Sequence, residues 1–158
     1  MAKKRQAIKR RPIVMAAGVF DLLHLGHVRF LEEAKRAGGE DAELIVIVAR
    51  DKTVENRKGE KPVMSENQRR ALVESLQVVD EAILGYEEFD IKKVVDKIAP
   101  NVIVLGHDQK GIGKMVRKAI ADEGLNIKIN KIGKFSEDEL NSSSEIKRKI
   151  IELYRRKA

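Results

Sequence analysis

The sequence predicts an α/β fold built on an open, parallel five-stranded sheet with helices on both faces. Apolar runs of strand length alternate along the chain with segments in which apolar residues recur at helical spacing, as in parallel sheets joined by crossover helices. Four of the five runs lack polar alternation, which is typical of strands buried on both faces. The chain has 158 residues, the length of one domain.

The five apolar runs are the predicted strands. Runs 13–17, 44–49, 82–84 and 102–105 are apolar throughout, so we expect both faces of these strands to be buried. The fifth run, 126–132, alternates Ile127 and Ile129 with polar residues. We therefore expect this last strand to lie at an edge of the sheet.

Helical segments separate and follow these runs. The first, 28–37, ends before two glycines, and the second begins at Ser65, which forms a capping box with Gln68. The third begins after Asp90 and stops before Pro100, and the fourth covers 114–122. A C-terminal helix has one apolar face that we expect to pack against the sheet or a partner, formed by Ile146, Ile150, Leu153 and Tyr154.

Residues 1–12 are predicted to be a basic leader, and residues 13–158 a single folded domain. The leader has six Lys or Arg and no acidic residue, so of the chain's 32 basic and 25 acidic residues, 26 and 25 remain in the domain. Such a leader is expected to be a flexible, solvated tail, with contact to nucleic acid or an anionic surface as the alternative. The nearly neutral domain argues against a nucleic-acid partner.

Composition excludes several classes of protein. No apolar run approaches the length of a transmembrane helix and no signal peptide is present, so we expect a cytoplasmic protein that does not bind membranes. The absence of cysteine excludes disulfides and thiol catalysis. Aromatic residues make up 4% of the chain, which leaves little for base stacking.

The most informative stretch follows the first predicted strand and reads Gly18-Val19-Phe20-Asp21-Leu22-Leu23-His24-Leu25-Gly26-His27. Where a strand turns into a helix, unpaired backbone N–H groups and about half a positive charge favour phosphate. His24 and His27 are three residues apart, so both can face one ligand, and Gly26 permits close approach to the backbone. The pattern favours a triphosphate site; histidines that merely bond carbonyls at a turn are the alternative.

Other polar segments follow the remaining strands. Arg50-Asp51 come after the second strand, Gly106-His107-Asp108 after the fourth and Ser142-Ser143-Ser144 after the fifth. Ligands of open α/β sheets bind at the carboxyl ends of the strands, so we expect these segments to share one site. Between the second strand and Ser65 we predict a loop with Lys58 and Lys61, which either closes over a phosphate or is solvated.

The pattern Gly-x-Phe-Asp-x-x-His-x-Gly-His resembles the motif of the cytidylyltransferase-like nucleotidyltransferases. The likeness runs from about Ile13 to the C-terminal helix and includes Ser65-Glu66-Asn67-Gln68-Arg69-Arg70 and Val79-Asp80-Glu81-Ala82. It implies a Rossmann-like sheet of the His-x-Gly-His type. Within the superfamily the chain is similar to the archaeal FAD synthases.

The resemblance implies a role for individual residues. His24, His27 and Lys58 would be catalytic and contact the phosphates, while Asp108 would contact the nucleotide. Ser142 and Ser143 would bind the triphosphate together with the N–H groups of the last helix. The remaining nucleotide contacts would be Val19, Phe20, Leu25 and Gly26.

A zinc centre is the alternative use of the histidines, because His107 adds a third imidazole and three histidines plus water form a catalytic zinc site. The family's Gly-x-Asp segment accounts for Asp108 without zinc, so we expect no metal held by protein ligands. The resemblance instead implies a divalent cation, Mg²⁺, that bridges the phosphates.

Several departures from the family bear on the substrate. Val19 replaces the usual threonine, Gln109 stands where cytidylyltransferases carry tryptophan, and Lys134-Phe135-Ser136-Glu137 stand in place of their Arg-Thr-x-Gly. These differences favour adenylyl over cytidylyl transfer. The cysteines that archaeal FAD synthases often carry before the paired serines are absent.

The implied reaction transfers AMP from ATP to FMN and yields FAD and pyrophosphate. A cytidylyltransferase for a small phosphorylated alcohol such as glycerol 3-phosphate, an adenylyltransferase for another phosphate acceptor and a nucleic-acid-binding module are the alternatives. The family is commonly dimeric, so a homodimer is one expectation, but the sequence itself leaves the oligomeric state open.

Overall fold

Five parallel strands form the sheet of the structure, a computed structural model that describes residues 10–88, 90–135 and 140–157. The sheet has the strand order β3-β2-β1-β4-β5, and all neighbouring strands are parallel. Its strands are β1 (Ile13–Gly18), β2 (Glu43–Val48), β3 (Glu81–Leu84), β4 (Val102–Leu105) and β5 (Lys128–Lys131). The order reverses between β1 and β4, which is the topological switch point of a Rossmann-like fold.

Helices cover both faces of this sheet, as predicted. They are α1 (Leu25–Arg36), α2 (Asp51–Lys58), α3 (Glu66–Glu74), α4 (Ile91–Ile98), α5 (Lys110–Asp122) and α6 (Ser143–Arg155). Leu31 of α1 and Val73 of α3 belong to the hydrophobic core on one face. Val95 of α4 and Val116 of α5 belong to the core on the other face.

The central strands lack polar alternation because both of their faces are covered. In β1, Val14 contributes to the core beneath α1 and α3, whereas Met15 contributes to the core beneath α4 and α5. The neighbouring β2 does the same with Leu44 and Ile45. The prediction that β5 lies at an edge is confirmed, since β5 is the last strand in the sheet order.

Two local predictions were wrong. β3 is an edge strand with an exposed Glu81 and a half-buried Leu84, although run 82–84 was expected to be buried on both faces. Three apolar residues are too few to reveal an alternation. Lys58 is the last residue of α2 and not part of a loop. Because Val54 is the one buried residue of that helix, α2 has no apolar stripe to predict it by.

Helix α6 contacts the sheet less than its sequence predicted. Ile150 is 47% exposed, Leu153 47% and Tyr154 75%. The apolar face of α6 therefore does not pack against the sheet along its C-terminal half, and a partner remains the alternative. Within the described residues, none of the helices has the length and apolar character needed to cross a membrane.

The end of the predicted leader contacts the domain. Arg11 donates to the carbonyl oxygens of Asp41 and Ala42 at 2.9 and 3.4 Å, and Glu43 N–H donates to the Pro12 carbonyl oxygen at 2.8 Å. The rest of the leader, residues 1–9, and the departures Ser136 and Glu137 lie outside the described residues.

Candidate active site

The turn between β1 and α1 is the centre of the candidate site. It lies at the carboxyl edge of the sheet, beside the switch point between β1 and β4. Phe20 and Leu22 have φ angles of 55° and 48°, a left-handed conformation that residues other than glycine rarely adopt. Such strain persists only where the surroundings hold the backbone, and it is concentrated at functional sites.

Asp21 is one of the groups that hold this turn. Its buried carboxylate accepts hydrogen bonds from the N–H groups of Val63 and Met64 at 2.8 and 3.0 Å. Its own carbonyl oxygen accepts a hydrogen bond from Ser143 Oγ. Asp21 thus connects the turn both to the segment before α3 and to the first residue of α6.

Arg69 of α3 is fully buried and is the second group that fixes the turn. Its guanidinium donates to the carbonyl oxygens of Val19 at 2.6 Å, Ala49 at 2.8 Å and Met64 at 3.0 Å. It also forms an ion pair with Asp51 at 2.6 Å. One cation therefore joins the segments that follow β1, β2 and α2.

His24 and His27 stack at the start of α1. Their ring centroids are 3.7 Å apart and their planes differ by 24°. Phe20 contacts the other side of the pair, with its ring centroid 5.3 Å from that of His27. Helix α1 begins at Leu25, three residues before its predicted start at residue 28, and His24 is its N-cap. His24, Gly26 and His27 therefore all lie at the N-terminus of the helix.

Both imidazoles are neutral at pH 7. Burial lowers the pKa of His24, and the negative charge of Glu145 partly opposes this shift. The pKa of His27 is lowered to about 3, mainly by burial and to a smaller extent by the neighbouring His24. The negative charge of Asp21 opposes this shift. A neutral imidazole carries one N–H donor and one acceptor nitrogen.

The hydrogen bonds of His27 assign its tautomer. The backbone N–H of His24 donates to His27 Nδ1 at 3.3 Å, so the proton of the neutral ring is on Nε2. Nε2 is thereby left as a donor. Nδ1 of His24 is buried and has no hydrogen-bond partner within the described chain. An unsatisfied buried polar atom of this kind is uncommon in folded proteins.

Gly26 brings the segment before α6 against α1. A Cβ atom at Gly26 would lie 2.8 Å from the carbonyl oxygen of Asn141 and 3.0 Å from His24 Nδ1. The sequence suggested that Gly26 leaves room for a ligand. The structure shows that backbone of the chain itself makes the close approach.

Ser142 and Ser143 have structural hydrogen bonds. Ser142 is the N-cap of α6, and its Oγ accepts from Glu145 N–H at 3.1 Å, while Ser143 donates to Asp21. The hydroxyl proton of Ser142 is not used in its cap bond. The two serines therefore lie beside the histidine turn and join α6 to it.

The loop between β4 and α5 forms the other side of the crevice. Gln109 accepts a hydrogen bond from Gly106 N–H and donates to the Ala17 carbonyl oxygen, both at 2.8 Å. This side chain holds the loop against the end of β1. His107 and Asp108 in the same loop are exposed. Within the described residues no three His, Cys, Asp or Glu side chains are grouped to hold a metal ion.

The remaining predicted site residues lie around this centre. Val19 and Phe20 belong to the strained turn, and Leu25 is the first residue of α1 and 40% exposed. Lys58 is exposed at the end of α2. The residue that follows its capping glycine, Glu60, pairs with Lys147 of α6 at 3.5 Å.

Comparison with known proteins gives one consistent match. Residues 15–149 match the family model described as cytidylyltransferase-like. A protein named FAD synthase from Thermoplasma volcanium is 47% identical over 140 residues, which cover 89% of this chain and 94% of the relative. Another FAD synthase, from Methanobrevibacter smithii, is 47% identical over 137 residues, which cover 87% and 89%.

A solved structure with a similar sequence has the same fold. A crystal structure from Thermoplasma volcanium, described as a lipopolysaccharide core biosynthesis protein, superimposes with a TM-score of 0.71 at 46% sequence identity. The superposition covers 79% of this chain and 98% of the other.

The buried Arg69 generates a stability prediction. Arg69→Met removes the cation and leaves Asp51 and three carbonyl oxygens without their donor, so the free energy of unfolding should fall by about 3–5 kcal/mol. Urea denaturation measures it. The control is Arg70→Met, which breaks an exposed pair with Glu74 and should cost less than about 1 kcal/mol. Equal losses would show that Arg69 does not fix the turn.

The lowered pKa of His27 predicts how stability depends on pH. Above pH 6.5 the ring is neutral in both states; between 6.5 and about 3 the unfolded chain binds a proton that the folded chain does not. Between pH 7 and pH 5 the free energy of unfolding of the wild type should therefore fall by about 1–2 kcal/mol more than that of His27→Gln. Chemical denaturation at both pH values measures this difference.

The matched control removes another imidazole. His107→Gln changes an exposed histidine and should show the pH dependence of the wild type. If His27→Gln keeps that dependence too, His27 is not held neutral by the fold.

Proposed function

This chain belongs to the cytidylyltransferase-like family, and on that premise we propose that it is an FAD synthase, which transfers AMP from ATP to FMN and releases pyrophosphate. The substrates are supported by two relatives named FAD synthase, each 47% identical to this chain over most of both lengths. The chemistry is supported by one observation above all, the stacked pair of neutral imidazoles at the start of α1.

In the proposed reaction, an oxygen of the FMN phosphate attacks the α-phosphorus of ATP. A new P–O bond forms to FMN, and the bond from the α-phosphorus to the oxygen of the departing pyrophosphate breaks. Negative charge accumulates on the phosphoryl oxygens during this exchange, so donors already in position lower the barrier. Catalysis then consists mainly of positioning and electrostatic stabilisation.

His24 and His27 are the proposed donors to these oxygens. A neutral ring keeps its donor N–H throughout the reaction without needing a proton from solvent. In His27 this proton is on Nε2, because Nδ1 accepts a hydrogen bond from the backbone N–H of His24. The N–H groups of Leu25 and Gly26 in the first turn of α1 have no partner within the helix and add to the same field. Losing one such donor typically slows a reaction by about 10²–10³.

The other proposed contacts surround this centre. Ser142 and Ser143 bind the triphosphate through hydroxyl and backbone N–H groups, and their hydrogen bonds to the turn and to α6 support this placement. Asp108 contacts the nucleotide from the β4–α5 loop. Lys58 contacts the transferring phosphates from the end of α2. Val19, Phe20, Leu25 and Gly26 complete the proposed nucleotide contacts.

A divalent cation, Mg²⁺, is the proposed cofactor. Mg²⁺ in such sites is held mainly by substrate phosphates and water and needs few protein carboxylates. When bound, the cation neutralises phosphate charge, while the histidines and the start of α1 orient the triphosphate.

We further propose a homodimer in the cytoplasm. The exposed apolar residues at the end of α6, among them Ile150, Ile151 and Tyr154, support a partner. The described residues contain no membrane-spanning helix. ATP and FMN are the proposed small-molecule partners.

The substrate proposal is tested by combining ATP, CTP, GTP or UTP with FMN, glycerol 3-phosphate or phosphocholine. We expect FAD from ATP and FMN, and rates lower by about 10² or more for CTP with either phospho-alcohol, because a wrong base leaves hydrogen-bonding groups unpaired. Chromatography identifies the products. Riboflavin, which lacks the acceptor phosphate, is the matched control and should give none. CDP-alcohol without FAD would overturn the proposed substrates.

A further inference from the structure

The hydrogen-bond ladder between β1 and β4 ends one rung before the crevice. Its last residue pair is Ala16 and Val104. In a parallel pair, a carbonyl oxygen accepts from the N–H one residue beyond its own partner. The next rung would therefore join the N–H of Gly106 to the carbonyl oxygen of Ala17.

The other side of β1 follows the same rule. Gly18 pairs with Val48 of β2, and its carbonyl oxygen accepts from the N–H of Ala49 at 2.9 Å. Successive carbonyl groups of a strand point to opposite neighbours. Because the carbonyl of Gly18 points to β2, that of Ala17 points to β4.

The side-chain amide of Gln109 occupies the missing rung. Its oxygen accepts from the N–H of Gly106 and its nitrogen donates to the carbonyl oxygen of Ala17, both at 2.8 Å. A carboxamide offers one acceptor and one donor side by side. The ends of β1 and β4 are thereby held apart by the width of one amide, at the switch point where open α/β sheets bind their ligands.

The main chain of Gln109 closes the turn that carries Asp108. Its N–H donates to the carbonyl oxygen of Gly106 at 3.2 Å, so residues 106–109 form a tight turn. Its carbonyl oxygen accepts from the N–H of Gly113 at 2.8 Å and so begins the hydrogen bonding of α5. Main-chain and side-chain groups of this one residue thus fix the turn against both the sheet and α5.

The carboxylate of Asp108 lies on the side of the sheet that carries the histidines. A Cβ atom at Gly106 would lie 3.1 Å from Asp108 Oδ1 and 3.6 Å from Cε2 of Phe30 in α1. Val104, two residues before Gly106 and on the same side of the strand, packs in the core beneath α1. The position of Gly106 therefore sets where the carboxylate lies relative to the start of α1.

We propose that Gln109 is a positioning residue for the nucleotide, which holds Gly106 one amide width from β1 and thereby keeps the Asp108 carboxylate in place to contact ATP. Without the amide, Gly106 and Ala17 can form the missing rung, and the turn moves toward β1 together with Asp108. Gln109 acts on the binding of ATP and not on the transfer step. This inference rests on the proposed nucleotide contact of Asp108.

The test replaces Gln109 with methionine, which has about the same length and no amide. Binding of α,β-methylene-ATP, which cannot be cleaved between its α- and β-phosphorus, is measured by calorimetry on the full chain with Mg²⁺. In Gln109→Met the affinity should fall at least about tenfold, because a displaced carboxylate leaves its nucleotide partner without a hydrogen bond. In the FAD assay the KM for ATP should rise by a similar factor, while kcat and the KM for FMN stay within about threefold.

The same change at an exposed glutamine is the matched control. Gln77 lies between α3 and β3, at the opposite edge of the sheet from the crevice. Gln77→Met should bind the analogue as the wild type does.

A double-mutant cycle separates positioning from a general loss of structure. In a chain that already carries Asp108→Ala, Gln109→Met should weaken binding by less than about twofold, because the carboxylate that it positions is gone. A purely structural role of Gln109 would reduce the affinity by the same factor with and without Asp108.

Two results would overturn the proposal. One is equal binding of the analogue by the wild type and Gln109→Met, including no binding by either, and the other is an equal loss with and without Asp108. Binding of the analogue needs no FMN, so failure of the proposed reaction is a separate result. A wild type that makes no FAD, together with a loss in Gln109→Met that depends on Asp108, would contradict FAD synthesis and support the positioning role.

Discussion

The buried guanidinium of Arg69 is the interaction on which the rest of the site depends. A charge without solvent must be paired and hydrogen-bonded, so the carbonyl oxygens of Val19, Ala49 and Met64 have to converge on it together with Asp51. These groups come from three segments that are distant in sequence. Their convergence fixes the path of the chain after β1, and it allows Phe20 to keep a backbone conformation that is otherwise unfavourable.

The fixed path has a chemical consequence at the start of α1. It stacks His24 and His27 in a partly buried position, where desolvation keeps both rings neutral. A neutral ring that accepts at Nδ1 must carry its proton on Nε2, so the fold selects a donor at the helix mouth. Burial, which is usually a cost to a polar side chain, here determines its protonation state and with it the chemistry the site can perform.

The sequence predicts the elements whose burial shows directly in their apolar amino-acid composition. β1, β4 and all of β2 after Glu43 are apolar and covered on both faces, so they were predicted, whereas α2 buries one side chain and was missed. The histidines were found because their spacing at a strand-to-helix turn is itself a signal. Arg69 was not, because an arginine in a helix is expected to be exposed. Its one signal is its spacing: Val73 follows it at i+4 on the core face of α3, and Leu76 follows at i+7, just beyond the end of the helix, and packs against the same core.

The central claim is that the helix mouth stabilises transfer of the α-phosphoryl group of ATP to FMN, and ATP labelled at the α-phosphorus tests it most directly. The account predicts that the label appears in FAD, and that His24→Ala slows this by about 10² or more while the free energy of unfolding changes by less than about 1 kcal/mol. The claim would be contradicted if the label entered FAD as fast in His24→Ala as in the wild type. It would also be contradicted if the FMN-dependent reaction of the wild type left the label in ADP.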